Sequence, residues 1–376
     1  MKETIIVFSD GDSTLLSTWS NVPYMMTTTL EKLGYEVVRG NIRRHEHIRY
    51  LYDVCFRYFI LRGSSYDYGR SFLCHFLTRR YMKKVIKNAQ KQGKNIKCCI
   101  TMAFGFGTKQ IANVPCVLFG DWCYEYYLKK FREREPDWLE KRELVRENSE
   151  IEKADYVIAL FPYVCDWMKE RYINRNILYL GNVINAVEEP QKEDLKIKRQ
   201  SNVLLFIGRA AYIESAIELI KAADMLNQEG HNYVVHIVGL TESDFTGLEL
   251  KQYVKCYGYL SKDNDEQREL YYTLIRQANI CINTTPKWAA MSSVLEEMYF
   301  YNPIITVPND NFVEMFGEEI SFGRYVEHNA AELIAQAIRE IDSDEVVYDK
   351  MCCAAHEAVD GFTWEEYVKK MLQCIK

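Results

Sequence analysis

Short apolar runs rich in Ile, Val, Phe and Cys recur along this chain. They alternate with longer stretches in which apolar residues return every three or four positions. The first kind predicts strands at 4–8, 36–39, 96–102, 115–119, 156–160 and 177–180, and again at 202–207, 233–238, 253–256, 280–283 and 303–307. The second kind predicts helices in the gaps. The clearest covers 212–228, where Ile213, Ala216, Ile217, Ile220, Ala223 and Leu226 share one face. Strands and helices in strict alternation imply parallel sheets covered on both faces, so the expected class is α/β with two doubly wound domains. The polar, charged stretch 188–200 reads as the boundary between them. The expected domains are residues 1–185 and 186–362, followed by a closing helix at 363–376. Open sheets of this kind bind ligands beyond the carboxyl ends of their strands. Two of them facing across a cleft would hold one substrate each.

Composition narrows the class. With 376 residues, 48% apolar and 27% charged, the chain is that of a folded protein too long for one ordinary core. No apolar run approaches the ~20 residues of a membrane span. The opening residues read as a strand followed by acids rather than as a signal peptide. Twelve scattered cysteines lack any Cys-x-x-Cys pair or zinc-ligand spacing, which fits reduced, mostly buried thiols in a cytoplasmic protein and predicts no metal site. The net charge of −6 conceals an asymmetry: residues 1–110 hold 18 Lys and Arg against 8 Asp and Glu. A basic first domain suits an anionic partner. Between positions 43 and 97 the basic residues interleave with Tyr50, Tyr52, Phe56, Tyr58, Phe59, Phe72, Phe76 and Tyr81. That mix fits an anionic membrane surface, on the inner face for a cytoplasmic protein, and fits equally a helix packed on the sheet with a solvated basic side. Nucleic acid is not expected, because the whole chain is acidic and carries no recognition motif.

Candidate chemistry concentrates in the second half. The strand at 202–207 ends in Gly208-Arg209, where glycine lets a ligand approach the backbone and arginine offers a fork for a diphosphate. Gly239 and Gly258-Tyr259 follow two further strand ends. A helix opening at Ser292 or Ser293 and continuing through Val294 would aim free N–H groups at phosphate oxygens. Glu296, one turn in, is placed to accept hydrogen bonds from ribose hydroxyls.

These strings resemble the donor domain of the two-Rossmann (GT-B) glycosyltransferases, specifically glycosyltransferase family 4. The shared features are Gly208-Arg209, Val238-Gly239, Gly258-Tyr259, and Leu295-Glu296-Glu297-Met298 followed by Asn302-Pro303. Ala154-Asp155-Tyr-Val-Ile158 is similar to a family strand, and Phe362-Thr-Trp364 to the closing helix that crosses back to the first domain. The resemblance implies retaining, metal-independent transfer of a sugar from a nucleotide diphosphate sugar, with no further cofactor. The acceptor would be a saccharide, lipid-linked if the membrane reading holds, in surface polysaccharide or glycolipid synthesis. Arg209 would stabilise the leaving diphosphate, Glu296 would hold the ribose, and the Gly258-Tyr259 loop would hold the base.

Two positions depart from the pattern. The family's first glutamate falls on Trp288, which can stack on a sugar or base but cannot ionise, and its phosphate lysine falls on Glu214. Either Arg209 and the helix N-terminus suffice, or Lys287 or Lys221 reaches the site, or the domain binds without chemistry. The last option makes the protein a non-catalytic pseudo-glycosyltransferase serving as a binding or chaperone subunit.

In the first domain the loop Asp10-Gly11-Asp12 lies where the fold brings the acceptor, with helix capping as its ordinary role. Asp121, after the strand at 115–119, is the first choice for a polar catalytic residue. Asp10-x-Asp12 with Thr14-Leu15, and Asp121 with Glu125, also imitate the acidic motifs of haloacid-dehalogenase phosphatases, a more remote alternative that leaves the second domain without a role.

Overall fold

In a computed structural model, residues 2–43, 46–57, 66–285 and 292–375 are described. They form two compact units, residues 1–182 with 364–376, and residues 183–363. The first unit holds strands β1 (Glu3–Ser9), β2 (Glu36–Asn41), β3 (Asn95–Met102), β4 (Cys116–Gly120), β5 (Tyr156–Ala159) and β6 (Ile177–Leu178) in one all-parallel sheet. Its spatial order is β2-β1-β3-β4-β5-β6. Around it lie α1 (Val22–Lys32), α2 (Glu46–Arg57), α3 (Phe72–Lys91), the single turn α4 (Tyr124–Tyr126), α5 (Trp138–Lys153) and α6 (Pro162–Arg171). The run Ile5-Ile6-Val7-Phe8 is fully buried, as expected of a central parallel strand covered on both faces.

The second unit repeats the plan. Helices α7 (Asp194–Arg199), α8 (Ile213–Gln228), α9 (Asp265–Gln277), α10 (Ser292–Tyr299), α11 (Asp310–Phe316), α12 (Ala331–Asp342) and α13 (Glu345–Val359) accompany strands β7 (Val203–Ile207), β8 (Val234–Val238), β9 (Val254–Cys256), β10 (Ile280–Asn283), β11 (Ile304–Thr306) and β12 (Gly323–Tyr325). The strand order is β12-β11-β10-β7-β8-β9. The period of two is visible on β7. Leu204 and Phe206 pack with Leu219 and Ile338 on one side of the sheet, and Leu205 packs with Ile275 and Met298 on the other. In each sheet the order reverses beside the first strand, between β1 and β3 and between β7 and β10. Such a switch point splays the following loops apart and opens a crevice for ligand.

The last helix, α14 (Trp364–Cys374), belongs to the first unit. It buries Trp364, Tyr367, Val368 and Met371, and Tyr367 meets Phe119 edge-on with centroids 6.2 Å apart. No described helix is long and apolar enough to cross a membrane.

Three details differ from the sequence reading. The chain enters the second unit at Val183, because Ile184 joins that unit's core and its N–H donates to the Phe362 carbonyl at 2.8 Å. Strand β12 was not anticipated, since Gly323-Arg-Tyr325 has no apolar run to announce it. The polar stretch 188–200 is no bare linker either, because α7 within it docks on the core through a buried lysine. The Lys198 ammonium donates to the carbonyls of Ile275 (2.9 Å) and Ala278 (3.4 Å) and to Asn302 Oδ1 (2.6 Å). These carbonyls lie at the C-terminal end of α9, where a cation is favoured. Burial nevertheless brings the Lys198 pKa down to about 8.

Lys198→Ala should cost about 2–4 kcal/mol, through the cavity and the unpaired carbonyls it leaves; urea unfolding measures it. The sign of the pH effect follows from the depressed pKa. Between pH 8 and about 10.4 the unfolded chain binds more protons than the folded one, so this residue adds stability as pH rises through that window. A Lys198→Met variant should lack that increment, and an identical pH profile in both proteins would refute the assignment.

Candidate functional site

The strand ends of the second unit are knitted into one surface by backbone hydrogen bonds. Gly208 N–H donates to Val238 O (3.0 Å), Gly239 N–H to Gly258 O (2.7 Å), and Gly258 N–H to Leu240 O (2.9 Å). Gly239 has φ +98°, and a Cβ on it would lie 2.3 Å from the Gly208 carbonyl oxygen. Only glycine fits there. This close seam carries Arg209 beside Tyr259. The guanidinium carbon stands 4.8 Å from the ring centroid, a stacked cation–π geometry. Both side chains are exposed, and Arg209 has no ion pair among the described residues. The cation is therefore held by a ring rather than neutralised by a carboxylate, which leaves its N–H fork open to an anion.

Ser292 and Ser293 begin α10 and are half-buried, while Val294 is buried. Glu296 is also buried, and three donors hold it: Lys262 Nζ (2.6 Å) and Tyr272 OH (2.8 Å) on Oε1, and Tyr271 OH (3.0 Å) on Oε2. Lys262 sits 4.7 Å above the Tyr271 ring and also donates to the Asn185 carbonyl at 3.2 Å. A carboxylate has about four lone-pair sites, so capacity remains for one further hydroxyl. Its neighbour Glu297 is buried too, and burial, reinforced by the adjacent Glu296 charge, pushes its carboxyl well above the usual range.

Glu214 is exposed in the first turn of α8, where its charge suits the helix dipole. Ser215, next to it, is buried, and its Oγ lies 3.0 Å from Thr284 Oγ1 and accepts from Thr284 N–H at 2.8 Å. This ties the start of α8 to the loop after β10, the two sides of the switch point. Lys221 is not a substitute for the absent lysine. It lies on the surface of α8, paired with Glu218 at 2.7 Å. The lysine that does reach the Glu296 carboxylate is Lys262. Its only signal in the sequence is its position four residues beyond Gly258. Trp288 and Lys287 lie outside the described residues.

The first unit has a pocket of about 560 Å3 at its own switch point, lined by Asp10 from the loop after β1 and by Gly105 and Phe106 from the loop after β3. Asp121, half-buried after β4, forms part of its wall and accepts from Trp122 N–H at 2.9 Å. Burial raises its pKa to about 6, opposed by the Trp122 amide and the Trp19 side chain. Trp19, Ser20 and Asn21 have φ of 40°, 52° and 60°. Three consecutive left-handed residues without glycine cost on the order of 1–3 kcal/mol each, and such strain gathers at functional sites. Glu147, buried on the pocket wall, accepts from Tyr124 N–H at 2.5 Å, and burial lifts its pKa to about 7.

Asp12 does not join this pocket. Its carboxylate accepts from Thr14 N–H (2.9 Å) and Thr14 Oγ1 (2.8 Å), a local turn that lowers its pKa. Gly11 takes φ +118° beside it. Glu125 pairs instead with Lys129 at 2.8 Å. The acids of the phosphatase imitation are thus dispersed, Asp10 and Asp121 on the pocket and Asp12 and Glu125 off it.

Residues 187–357 match the family model described as glycosyl transferases group 1. No curated protein matches the chain by sequence. Among solved structures, a glycosyltransferase from Rickettsia africae superposes with TM-score 0.65 at 16% identity, over 100% of this chain and 98% of that one. WaaG, a glycosyltransferase involved in lipopolysaccharide biosynthesis, gives 0.62 at 12% over 100% and 99%. HepE from Anabaena, solved with UDP and glucose, gives 0.62 at 11% over 98% of each chain. Most of the second unit is thus similar to the group 1 glycosyl transferases, and the two parallel sheets are those of the GT-B glycosyltransferase fold.

Proposed function

We propose that this protein transfers a sugar from a nucleotide diphosphate sugar to a saccharide acceptor, with retention and without a metal, in the synthesis of surface polysaccharide or glycolipid. One observation carries the reading: an exposed arginine stacked on Tyr259, at the switch-point strand ends of a domain similar to the group 1 glycosyl transferases. In it, Arg209 takes the leaving diphosphate, where charge grows as the glycosidic bond breaks. The N–H groups at the start of α10, beside Ser292 and Ser293, share that charge. Glu296 offers its remaining lone pair to a ribose hydroxyl, and the Gly258-Tyr259 loop borders the base. HepE, which shares the fold, was solved with UDP and glucose, a nucleotide and a sugar of the kind this reading calls for.

The first unit takes the acceptor in the pocket beside Asp10. Asp121 accepts a hydrogen bond from a sugar hydroxyl there, a role that needs its ionised form. The basic and aromatic outer face of α3 exposes Phe72, Phe76, Arg80, Lys83 and Lys84. It lies against an anionic membrane in this reading, as a peripheral contact on the inner face.

A second reading keeps the ligand and drops the chemistry. Glu214, exposed where the family resemblance expects a phosphate-binding lysine, favours a non-catalytic pseudo-glycosyltransferase that binds or chaperones.

Arg209→Ala should weaken nucleotide binding about 10- to 100-fold, the worth of charge-assisted hydrogen bonds to a diphosphate. Thermal shift with UDP-, GDP-, ADP- and CDP-sugars checks it. No shift with any of them at millimolar concentration would overturn the donor assignment, whereas binding without turnover would favour the second reading. Transfer should rise with pH through about 6, as Asp121 ionises, and level off above. Asp121→Asn should cut the rate about 10- to 100-fold and flatten that acid limb; a variant with the parental profile would remove Asp121 from the site. Flotation with liposomes should recover more protein on anionic than on neutral vesicles, and equal recovery would rule out the charge-driven contact.

A further inference from the structure

Beside the acceptor pocket lies a second depression of about 380 Å3, between α3 and α5. The two are lined in common by Gly105 and Phe106. The partition between them is thin. His75, on the groove side, stacks on Phe106 with centroids 4.4 Å apart. Its Nε2 lies 3.1 Å from Glu143 Oε1, on the pocket side.

The two compartments differ in chemistry. The pocket carries the aromatic rings of Trp19, Trp122 and Tyr124 among groups that exchange hydrogen bonds. Its cations already face carboxylates: Arg43 lies 3.5 Å from Asp10, and Arg70 lies 3.4 Å from Asp67. Asp121 and Glu147 also stand in this wall, each accepting from a backbone amide, Asp121 from Trp122 N–H at 2.9 Å and Glu147 from Tyr124 N–H at 2.5 Å. A compartment of rings and mutually balanced polar groups suits a neutral polyol, which stacks on rings and hydrogen-bonds at its edges. The groove is lined by Phe72, Phe76, Met82, Phe106 and Val145, together with Lys153 and with Arg79, which lies 3.5 Å from Glu150. Phe72, Phe76 and Val145 are 72%, 47% and 71% exposed. The two phenylalanine rings are near-parallel at 6.5 Å, so they stand in water as a preformed apolar wall. Cations in the lining of an apolar groove match the anionic surface from which a lipid would be drawn.

We infer that the pocket and the groove form one amphipathic acceptor site, the pocket seating a neutral sugar headgroup and the α3–α5 groove seating the hydrocarbon chain joined to it. The inference rests on the transferase reading and names its acceptor class, a lipid-linked saccharide. The continuity through Gly105-Phe106 commits the groove to the same molecule as the pocket. A free saccharide would use only the first compartment.

The test uses the full chain and intrinsic tryptophan fluorescence, since Trp19 and Trp122 line the pocket. Methyl, hexyl and octyl glucosides, galactosides and mannosides are titrated below their micelle-forming concentrations. An octyl sulfobetaine serves as the chain without a sugar. Affinity should rise about twofold per methylene, half the effect of full burial, and so about a hundredfold from methyl to octyl for at least one sugar. The double variant Phe72→Ser/Phe76→Ser alters exposed rings and should fold normally. It should abolish the chain-length gain while leaving methyl glycoside binding intact. Failure of every glycoside to bind, absence of a chain-length gain, or a gain that survives the double variant would each overturn the site. Equal affinity for the octyl sulfobetaine would also do so, and would mark the face as a general membrane contact. Nucleotide-sugar thermal shifts read the second unit separately, so loss of this inference leaves the donor assignment testable.

Discussion

Helix α9 is fastened by two buried charges of opposite sign, and the second unit is organised around that clamp. At its C-terminal end the Lys198 ammonium fills a cradle made by the carbonyls of Ile275 and Ala278 and by Asn302. Two turns earlier, Tyr271 and Tyr272 both donate to Glu296. Each charge is satisfied by several partners, the condition under which a buried ion is tolerated. The clamp joins three pieces of chain that are remote in sequence. Lys198 comes from the segment entering the unit and Lys262 from the loop after β9, while Glu296 and Asn302 lie on and just beyond α10. Removing either charge would leave the other partners buried and unpaired, so the position of α10, and of the N–H groups at its start, depends on them.

That dependence changes the meaning of the most legible motif in the chain. Leu295-Glu296-Glu297-Met298 and Asn302-Pro303 pointed in the sequence to a nucleotide site. In the fold, the same residues also do structural work. Asn302 receives the Lys198 proton donor while its own amide donates to Ile275 O (3.2 Å) and Glu297 O (2.9 Å). Glu296 shares itself between the clamp and its free lone pair. Glu297 is turned into the protein interior and held toward its neutral form by burial. A string of residues can be recognisable because it binds, because it holds, or both, and only the hydrogen bonds distinguish these.

The parallel sheets were legible because burial on both faces writes long apolar runs, as in Ile5-Ile6-Val7-Phe8. Short edges and charged helices leave no such trace. Strand β12 consists of Gly323-Arg-Tyr325, and α7 is mostly charged although Lys198 within it is fully buried. Within the site, the glycines and Arg209 could be read because their roles are local to each strand end. Lys262 could not, since its partner Glu296 lies 34 residues away and no periodicity links them. The left-handed run Trp19-Ser20-Asn21 is equally silent, for these residue types do not announce a positive φ.

The pocket of the first unit shows why residue type alone does not fix charge. Five carboxyl groups line one pocket, and three of them, Asp121, Glu143 and Glu147, meet different partners. Glu143 is drawn below the ordinary range although burial alone would raise it, because His75 lies 3.1 Å away and Arg146 Nε donates at 2.9 Å. Glu147 sits one helical turn further along α5. Among the described residues its carboxyl accepts only from the Tyr124 amide, so burial wins and carries it up to about 7. Asp121, with two donors of modest strength, falls between them at about 6. The cations that could have lowered Asp121 and Glu147 as well are committed elsewhere. Arg70 lies beside Asp67 and stacks 4.3 Å over Tyr124, while Arg43 lies beside Asp10. The wall therefore pairs its acids and bases among themselves, is rich in donors and acceptors, and is edged by aromatic rings. It is that balance, set by which partner each acid finds, that suits the pocket to hydroxyl groups rather than to ions.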